Sequence, residues 1–369
     1  MTDRATRLHD SPWQGVFHVT GGGTSLLAEM LGTAGASNTV LDATIPYASE
    51  ALAELLKRDP EQAASEATAR AMAVVAFSRA HALRPNLDPQ QLFGFGCTAS
   101  LATNRQKKGQ TRAYWAIHTR QGTYSYSTML STQDERAQQE RSLVDQMWHS
   151  LLHDLVQPQS HNTSAFQRKH AASSHHVQPL FAPVAYRTSI GEPHEKLLLP
   201  GSFNPLHDGH KTLLETAESI LDVPGAYEIS VVNADKPPLD YLTIAERLGQ
   251  FTQSVWLTNT PNFVDKAKLF PHATFALGVD TIVRIADPRF YQNDKQGLTA
   301  ALDAFTQLDT RFLVFGRIQD DHFLGLDDVD LPPVLRRMCQ AVPEDAFRVD
   351  LSSSDIRSAG EATGISSTH

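Results

Sequence analysis

Cysteine is scarce in this chain, with only Cys97 and Cys339 among 369 residues. Two thiols so far apart are typical of a reducing compartment and do not indicate a domain held together by disulfides. No apolar run approaches the roughly 20 residues that a membrane helix needs. The first residues also lack the apolar core of a signal peptide. We therefore expect a cytoplasmic protein that has no membrane partner.

A basic excess is missing as well. The net charge is −9, from 32 Lys and Arg against 41 Asp and Glu. General nucleic-acid binders usually carry a positive surplus, so we expect no nucleic-acid partner. A site for a small phosphate compound needs only local positive charge, and the acidic balance does not exclude one. The length is sufficient for two domains with separate cores.

The chain is expected to divide at residues 157–194, a stretch rich in Ser, His, Gln and Pro with no sustained period. Such a composition buries too little apolar surface to fold alone, which predicts a flexible linker. The predicted domains are therefore residues 1–156 and 195–369. A zinc site in the linker stays open, although the irregular histidine spacing favours a solvated segment. The histidines concerned are His161, His170, His175, His176 and His194.

The most informative segment runs from residue 201 to 210 and reads GSFNPLHDGH. It follows a short apolar run that predicts a strand and precedes an amphipathic stretch that predicts a helix. A helix N-terminus offers unpaired N–H groups and positive partial charge, both of which suit phosphate. Gly201 and Gly209 let the backbone approach a ligand without a Cβ. Because His207 and His210 are three residues apart, both rings can face one bound anion. The segment predicts chemistry on a phosphate.

This segment resembles the H-x-G-H motif of the nucleotidylyltransferase superfamily. Near the end of the chain, the sequence LSSSDIR at 351–357 resembles the I-S-S-T-x-I-R motif of the adenylyltransferase branch, with Leu351 for Ile and Ser354 for Thr. The two motifs stand in the family's order and about one domain length apart. The resemblance covers roughly residues 195–360. It implies an α/β domain with a Rossmann-like, doubly wound parallel sheet.

The resemblance also implies a reaction and the residues that perform it. An acceptor phosphate oxygen attacks the α-phosphorus of ATP in line, pyrophosphate leaves, and no protein nucleophile is needed. The implied catalytic residues are His207, His210 and Arg357, which would contact the ATP phosphates. Mg²⁺ would come with ATP, and no residue is assigned as a metal ligand. The implied nucleotide-binding residues are Gly201, Ser202, Phe203, Asn204, Gly209, Lys236, Gly278, Asp280, Ser352, Ser353 and Ser354.

The resemblance determines the acceptor less closely. The stretch FALGVD at 275–280 resembles a strand and turn of nicotinate and nicotinamide mononucleotide adenylyltransferases, and Arg247 sits where that family often carries a helix arginine. These matches favour a mononucleotide acceptor. Phosphopantetheine, which belongs to the same motif class, is the enzymatic alternative. Cytidylyl transfer is less favoured, because that branch ends in an Arg-Thr-x-Gly-Ile-Ser-Thr pattern absent here. A catalytically inactive nucleotide-binding or scaffold protein is the alternative of a different class.

The N-terminal part alternates predicted strands and helices and ends in a helix with an apolar stripe from Val144 to Leu155. This order resembles the CinA-like family, which implies a mixed α/β domain. The match rests on GGGTSLLA at 21–28, IPYASEA at 45–51 and FGCT at 95–98. Active members of that family are nicotinamide-nucleotide amidases.

The departures from that family concern the nucleophile. Active members read Glu-Ser-Cys-Thr-Gly-Gly before the first helix, and an ungapped alignment puts Gly21 at the serine. Glycine has no side chain that could attack an amide, so we predict a domain without amidase activity. Thr24 or Ser25 could replace the serine only with an activating base of its own. The glycine trio could cradle a phosphate or form a tight turn without a ligand, and assembly into a homo-oligomer through this domain stays open.

Overall fold

The structure is a computed structural model that describes residues 4–103, 110–157, 166–233, 235–291, 294–319 and 322–347. The chain forms two compact units. The N-terminal unit comprises residues 1–181 together with 235–244, and the C-terminal unit comprises 182–234 and 245–369. Within the described ranges, no helix combines the length and the apolar character needed to cross a membrane.

The N-terminal unit is built on a mixed sheet. Its strands are β1 (Gln14–Thr20), β2 (Val40–Thr44), β3 (Leu92–Ser100), β4 (Arg112–Thr119), β5 (Gly122–Met129) and β6 (Gln167–Ala172). Its helices are α1 (Arg4–His9), α2 (Ser25–Gly32), α3 (Ser49–Leu56), α4 (Glu66–Leu83) and α5 (Arg136–Leu151). Over the described residues the strand order is β2-β1-β3-β4-β5-β6, parallel among the first three and antiparallel from β3 onward.

Helix α4 lies directly on β3, because two glycines of that strand remove the side chains between them. A Cβ at Gly94 would lie 2.0 Å from the carbonyl oxygen of Ala73, and one at Gly96 would lie 2.3 Å from that of Ala69. The sequence predicts this helix from its alanine-rich composition. Its start at Glu66 is set by Ser65, whose side chain accepts the N–H of Thr68. The alanine-rich composition already begins near Glu61, so composition alone would start the helix too early.

The apolar stripe of the last N-terminal helix lies in the core, which is the place that an apolar stripe of helical period predicts. Val144, Met147, Trp148 and Leu151 are all buried in the main hydrophobic cluster of this unit. After α5 the chain continues into a short π-helical turn, Leu152–Val156. The period of the stripe is therefore explained by packing against the sheet.

The segment 157–194 differs from the prediction, because parts of it are regular structure. Residues 167–172 form β6 and pair with β5 at the edge of the N-terminal sheet. Nearly all of β6 is exposed, so backbone hydrogen bonds and ion pairs hold it on the sheet. Lys169 lies 2.9 Å from Glu66, and Arg168 lies 2.8 Å from Asp154. Hydrophobic patterning cannot reveal a strand of this kind.

The segment 235–244 packs within the N-terminal unit, although the chain has by then entered its C-terminal half. The Tyr241 ring stacks on His118 with a centroid distance of 5.1 Å. Its backbone N–H donates to Thr123 Oγ1 at 3.1 Å. Buried Asp240 lies 3.7 Å from buried Arg70. No local pattern predicts this packing, because the partners are more than 100 residues apart in sequence.

Two buried histidines are expected to make the N-terminal unit sensitive to acid. Burial lowers the pKa of both His18 and His118 to about 4, from an ordinary value of 6.5. In each ring Nδ1 bonds a threonine hydroxyl, whereas Nε2 is buried without a partner among the described residues. Since the folded-state pKa is depressed, protonation favours the unfolded chain. Stability is fully present above about pH 6.5 and is lost as the pH falls towards 4.

Urea unfolding at pH 7 and pH 5 measures this effect. The loss at the lower pH should reach about 1 to 2 kcal/mol for each histidine, within the roughly 3 kcal/mol that a pKa change of this size allows. A His118→Gln variant should lose less stability between the two pH values than the parent chain. Equal losses in the two proteins would contradict the assignment.

The C-terminal unit is built on a largely parallel sheet. Its strands are β7 (Arg187–Ile190), β8 (Leu197–Pro200), β9 (Gly225–Ser230), β10 (Val255–Thr258), β11 (Thr274–Gly278), β12 (Arg311–Phe315), β13 (Arg317–Gln319), β14 (His322–Leu324) and β15 (Cys339–Val342). Its helices are α6 (Asp208–Leu221), α7 (Tyr241–Leu248), α8 (Phe263–Leu269), α9 (Val279–Ile285), α10 (Lys295–Gln307) and α11 (Pro333–Arg337), with the first turn of α7 assigned to the N-terminal unit. Strands β13 and β14 form a separate hairpin.

The strand order is that of a doubly wound fold. Among the described residues it reads β15-β12-β11-β8-β9-β10-β7, and only the edge strand β7 runs antiparallel. Without β7 this is the order 6-5-4-1-2-3, which reverses direction between β8 and β11. One sheet face packs against α8, α9 and α10 through residues such as Phe275 and Phe312. On the other face, Leu214 of α6 reaches Gly225 of β9. The predicted fold class is confirmed.

Candidate active site

The carboxyl ends of β8 and β11 are neighbours at the point where the strand order reverses. Leu198 pairs with Phe275, and the two strands end at Pro200 and Gly278. In open α/β sheets a ligand binds in the crevice beyond such a point. Among the described residues, none has an atom within 4 Å of a Cβ built on Gly278, so none of them fills the space beside this glycine at the end of β11.

A backbone hydrogen bond and aromatic packing hold the turn after β8 in place. The Gly201 N–H donates to the carbonyl oxygen of Glu228 at 2.9 Å. Phe203 has a positive φ of 44° and is fully buried. Its ring meets Tyr227 and Phe251 edge-on. A Cβ at Gly201 would lie 2.5 Å from the Phe203 ring. The glycine is therefore needed for the packing of this ring, a reason that the sequence did not reveal.

His207 and His210 lie together where α6 begins, as predicted. Their ring centroids are 3.8 Å apart. The His207 N–H donates to His210 Nδ1 at 3.3 Å, and the His210 N–H donates to the His207 carbonyl oxygen at 2.9 Å. Because Nδ1 of His210 accepts a hydrogen bond, the neutral ring carries its proton on Nε2. That Nε2–H is then available to a ligand.

Both histidines are neutral at neutral pH. Burial lowers the pKa of His210 to about 4, with a further contribution from the neighbouring His207. Burial also lowers the pKa of His207. Within the described part of the chain, Nδ1 of His207 is buried and has no hydrogen-bond partner. The side chain of each histidine faces the backbone N–H of the other in a capping arrangement, so this buried atom belongs to the start of α6.

Two side chains beyond α6 hold the turn, and the sequence pointed to only one of them. Arg247 near the end of α7 donates from Nη1 to the Ser202 carbonyl oxygen at 2.7 Å. Gln250 accepts the N–H of Leu206 at 2.8 Å and donates to the Phe203 carbonyl oxygen at 3.2 Å. Arg247 matched a family position, whereas Gln250 carried no local pattern that could have identified it.

A carboxylate lies at the neighbouring strand end. Asp280 belongs to the first turn of α9, directly after Gly278. Its Oδ2 lies 3.1 Å from Nη1 of Arg317, and both side chains are about half exposed. Arg317 is a second residue that the sequence did not single out. The pair places one negative and one positive group beside the open space above β11.

The structure brings together most of the predicted residues that it describes. Gly201, Ser202, Phe203, Asn204 and Gly209 surround the two histidines in one turn and helix start, with Gly278 and Asp280 at the adjacent strand end. Lys236 is exposed and belongs to the segment that packs within the N-terminal unit. Ser352, Ser353, Ser354 and Arg357 lie outside the described residues, so their assignments stay predictions.

The glycine turn of the N-terminal unit, residues 21–23, is occupied by a side-chain carboxylate of the same chain. The Glu140 carboxylate accepts the N–H groups of Gly23 at 2.7 Å and of Ser25 at 3.0 Å. A carboxylate in this position satisfies the N-terminus of α2. Gly21 has a positive φ of 75°, and a Cβ there would lie 1.9 Å from the Ala99 carbonyl oxygen. The structure therefore favours a closed turn over a phosphate cradle.

The described residues include no group of three or more His, Cys, Asp or Glu side chains arranged to hold a metal ion. Of the histidines predicted to lie in the linker, His170 stacks on Tyr124 at 4.3 Å. The carbonyl oxygen of His194 accepts the indole N–H of Trp256 at 2.9 Å. His161 falls outside the described residues.

Among solved structures, the chain is similar to competence or damage-inducible proteins from three bacteria. These are CihA from Agrobacterium tumefaciens (18% identity, TM-score 0.34, covering 40% of this chain and 92% of that chain), the protein from Enterobacter asburiae (17%, 0.34, 41% and 92%) and ComA from Klebsiella pneumoniae (15%, 0.35, 42% and 97%). No curated protein matches the chain.

The family comparison concerns the other end of the chain. Residues 198–359 match the family model described as cytidylyltransferase-like. The matched range begins within β8 and contains both the histidine pair and the serine run with Arg357. The C-terminal part of the chain is therefore a cytidylyltransferase-like domain of the nucleotidyltransferase superfamily.

Proposed function

We propose that the C-terminal domain transfers AMP from Mg-ATP to the phosphate of nicotinate or nicotinamide mononucleotide and releases pyrophosphate. The family match supports a nucleotidyltransferase activity in general. The observation that carries the proposal is the pair His207 and His210, whose rings lie 3.8 Å apart at the start of α6. The pair stands beside the reversal point of the sheet, where α/β folds bind nucleotides.

The chain's own residues supply charge and orientation in this reaction. The Nε2–H of His210 and the N-terminus of α6 donate to phosphate oxygens, where negative charge accumulates in the transition state. Bound phosphate favours the protonated ring, so ATP should raise the pKa of His210 above the value of about 4 that the ring has without ATP. The histidine is then neutral when ATP arrives and becomes a stronger donor as charge develops.

Other predicted residues complete the proposed site. By its motif, Arg357 would add a forked donor to the same phosphates, and the serines at 352–354 would add hydroxyl and N–H donors. Mg²⁺ would enter with ATP as part of the substrate, because phosphates and waters supply most of its ligands. Asp280 and its partner Arg317 lie beside the open end of β11 and are proposed to contact the nucleotide or the acceptor.

We propose that the N-terminal unit has no amidase activity. Gly21, at the position of the family's serine, leaves no room for a side chain. Thr24 and Ser25 adjoin the Glu140 carboxylate, which is engaged by the N–H groups of the turn. The Thr24 hydroxyl lies 3.5 Å from Glu140 Oε1, but that carboxylate already accepts two backbone N–H groups, and residue 21 offers no nucleophile.

Pyrophosphate release tests the proposal. Purified protein with Mg²⁺ is given ATP or CTP, each with nicotinate mononucleotide, nicotinamide mononucleotide or phosphopantetheine. We expect release with ATP and one of the two mononucleotides, and loss of that release in a His210→Ala variant. Release with phosphopantetheine alone or with CTP alone would replace the proposed substrates. ATP binding without release in any mixture would instead favour a nucleotide-binding scaffold protein.

A further inference from the structure

Gln250 bridges the turn that leads into the histidine pair. In a closed turn over residues 203–206, the Phe203 carbonyl oxygen would accept the N–H of Leu206 directly. Here the Gln250 amide lies between the two groups, with Oε1 accepting the Leu206 N–H at 2.8 Å and Nε2 donating to the Phe203 carbonyl oxygen at 3.2 Å. One side chain thus sets the separation between the two ends of the turn.

Each end of this turn leads to one of the histidines. Leu206 immediately precedes His207, so the bond to its N–H fixes the backbone from which that ring projects. Phe203 contacts the His210 ring edge-on with a centroid distance of 5.0 Å. Phe203 also has a positive φ of 44°, a conformation that a phenylalanine keeps only when its surroundings hold it. The Gln250 bond to its carbonyl oxygen contributes to that restraint.

Gln250 lies outside the hydrophobic core. The residue is exposed, and among the described residues its side chain makes, besides the turn, a longer bond of 3.3 Å to the Arg247 carbonyl oxygen at the end of α7. Its loss should therefore cost little folding free energy, since surface substitutions usually change stability by less than about 0.5 kcal/mol. A residue that contributes little to stability but makes two hydrogen bonds to the turn is suited to orienting the histidine pair.

We propose that Gln250 is a positioning residue that holds His207 and His210 in the arrangement required for phosphoryl transfer. The inference rests on the proposed function for the reaction and on the hydrogen bonds above for the geometry. Catalytic groups must be held to within about 0.5 Å of the productive geometry, and a misplacement of 1 Å can cost about 100-fold in rate.

Gln250→Met tests the proposal, because methionine keeps the length of the side chain and removes both hydrogen bonds. Gln253→Met is the matched control, since Gln253 is an exposed glutamine of the same stretch whose amide oxygen accepts from Thr252. In pyrophosphate release, Gln250→Met should lower kcat by about 10- to 100-fold. The KM for ATP and the melting temperature should change little. The control should match the parent chain in all three quantities.

A second readout does not depend on activity. The pKa of His210, followed by NMR titration of the full chain, should rise towards the ordinary histidine value in Gln250→Met, because a loosened turn exposes the ring to water. It should stay unchanged in Gln253→Met. If the parent chain released no pyrophosphate, the proposed function would fail, and this titration would still decide whether Gln250 orients the pair.

An active parent chain with an unaltered kcat in Gln250→Met would overturn the positioning role and leave the proposed function standing. Equal losses of kcat in Gln250→Met and Gln253→Met would overturn it too, as would an unchanged His210 titration. A large fall in the melting temperature of Gln250→Met alone would also count against it, since the residue would then be structural.

Discussion

A His210→Ala variant is expected to lose about 10²- to 10³-fold in kcat for pyrophosphate release, the effect of removing one well-placed donor from a developing negative charge. His210 is the stronger candidate of the pair, because its Nδ1 accepts the His207 N–H and thereby leaves a proton on Nε2. Its partly buried ring packs on His207 and Phe203, so we expect a modest fall in the melting temperature beside the large loss of rate. Steady-state kinetics and thermal unfolding measure the two effects side by side.

His176→Ala is the matched control for this variant. His176 is an exposed histidine whose ring nitrogen lies 3.4 Å from the hydroxyl of Ser174. It lies outside the histidine turn, the segment 201–210 that carries His207 and His210. The His176→Ala variant should release pyrophosphate at the full rate of the parent chain. If His210→Ala retained more than about a tenth of the parent rate, the ring could not be the principal donor to the transferred phosphate.

Gly21→Ser is expected to destabilise the N-terminal unit by about 3 kcal/mol and to release no ammonia from nicotinamide mononucleotide. The alignment with active amidases puts a serine at this position, but the β3 backbone lies too close to accept one. A Cβ would lie 1.9 Å from the Ala99 carbonyl oxygen, and the φ of 75° is unfavourable for a serine. Chemical unfolding measures the loss, and an ammonia assay tests for activity.

Gly32→Ser is the control for this substitution. Gly32 ends α2, and no described residue has an atom within 4 Å of a Cβ placed there. Its replacement should change the free energy of unfolding by less than about 1 kcal/mol. A Gly21→Ser protein as stable as the parent chain would show that the β3 backbone can move aside. Ammonia release by that protein would show that the rest of the amidase machinery is intact.

Much of the candidate site could be predicted, because it occupies one contiguous segment. The strand, turn and histidine pair follow each other between residues 197 and 210, so apolar periodicity and spacing were sufficient to place His207 and His210 together. The residues that hold this segment come from elsewhere in the chain. Gln250 acts through two hydrogen bonds that span more than 40 residues, and no local pattern carries that information.

The regular structure inside the segment 157–194 shows a second limit. Strand β6 is polar and almost wholly exposed, so its formation depends on the free edge of β5 and on ion pairs such as Lys169 with Glu66. The packing of the segment 235–244 against His118 has the same origin. In both cases the stabilising partner lies far away in sequence.

The sequence by itself determined the two α/β units, the order of most strands and helices, and the place of the histidine pair, because these follow from hydrophobic period and from contiguous motifs. Only the tertiary structure decided that Gly201 makes room for the Phe203 ring, that Glu140 holds the glycine turn and that Gln250 bridges the histidine turn. These features depend on contacts between groups from different elements. The packing of whole helices and strands sets those contacts, and the local sequence does not encode them.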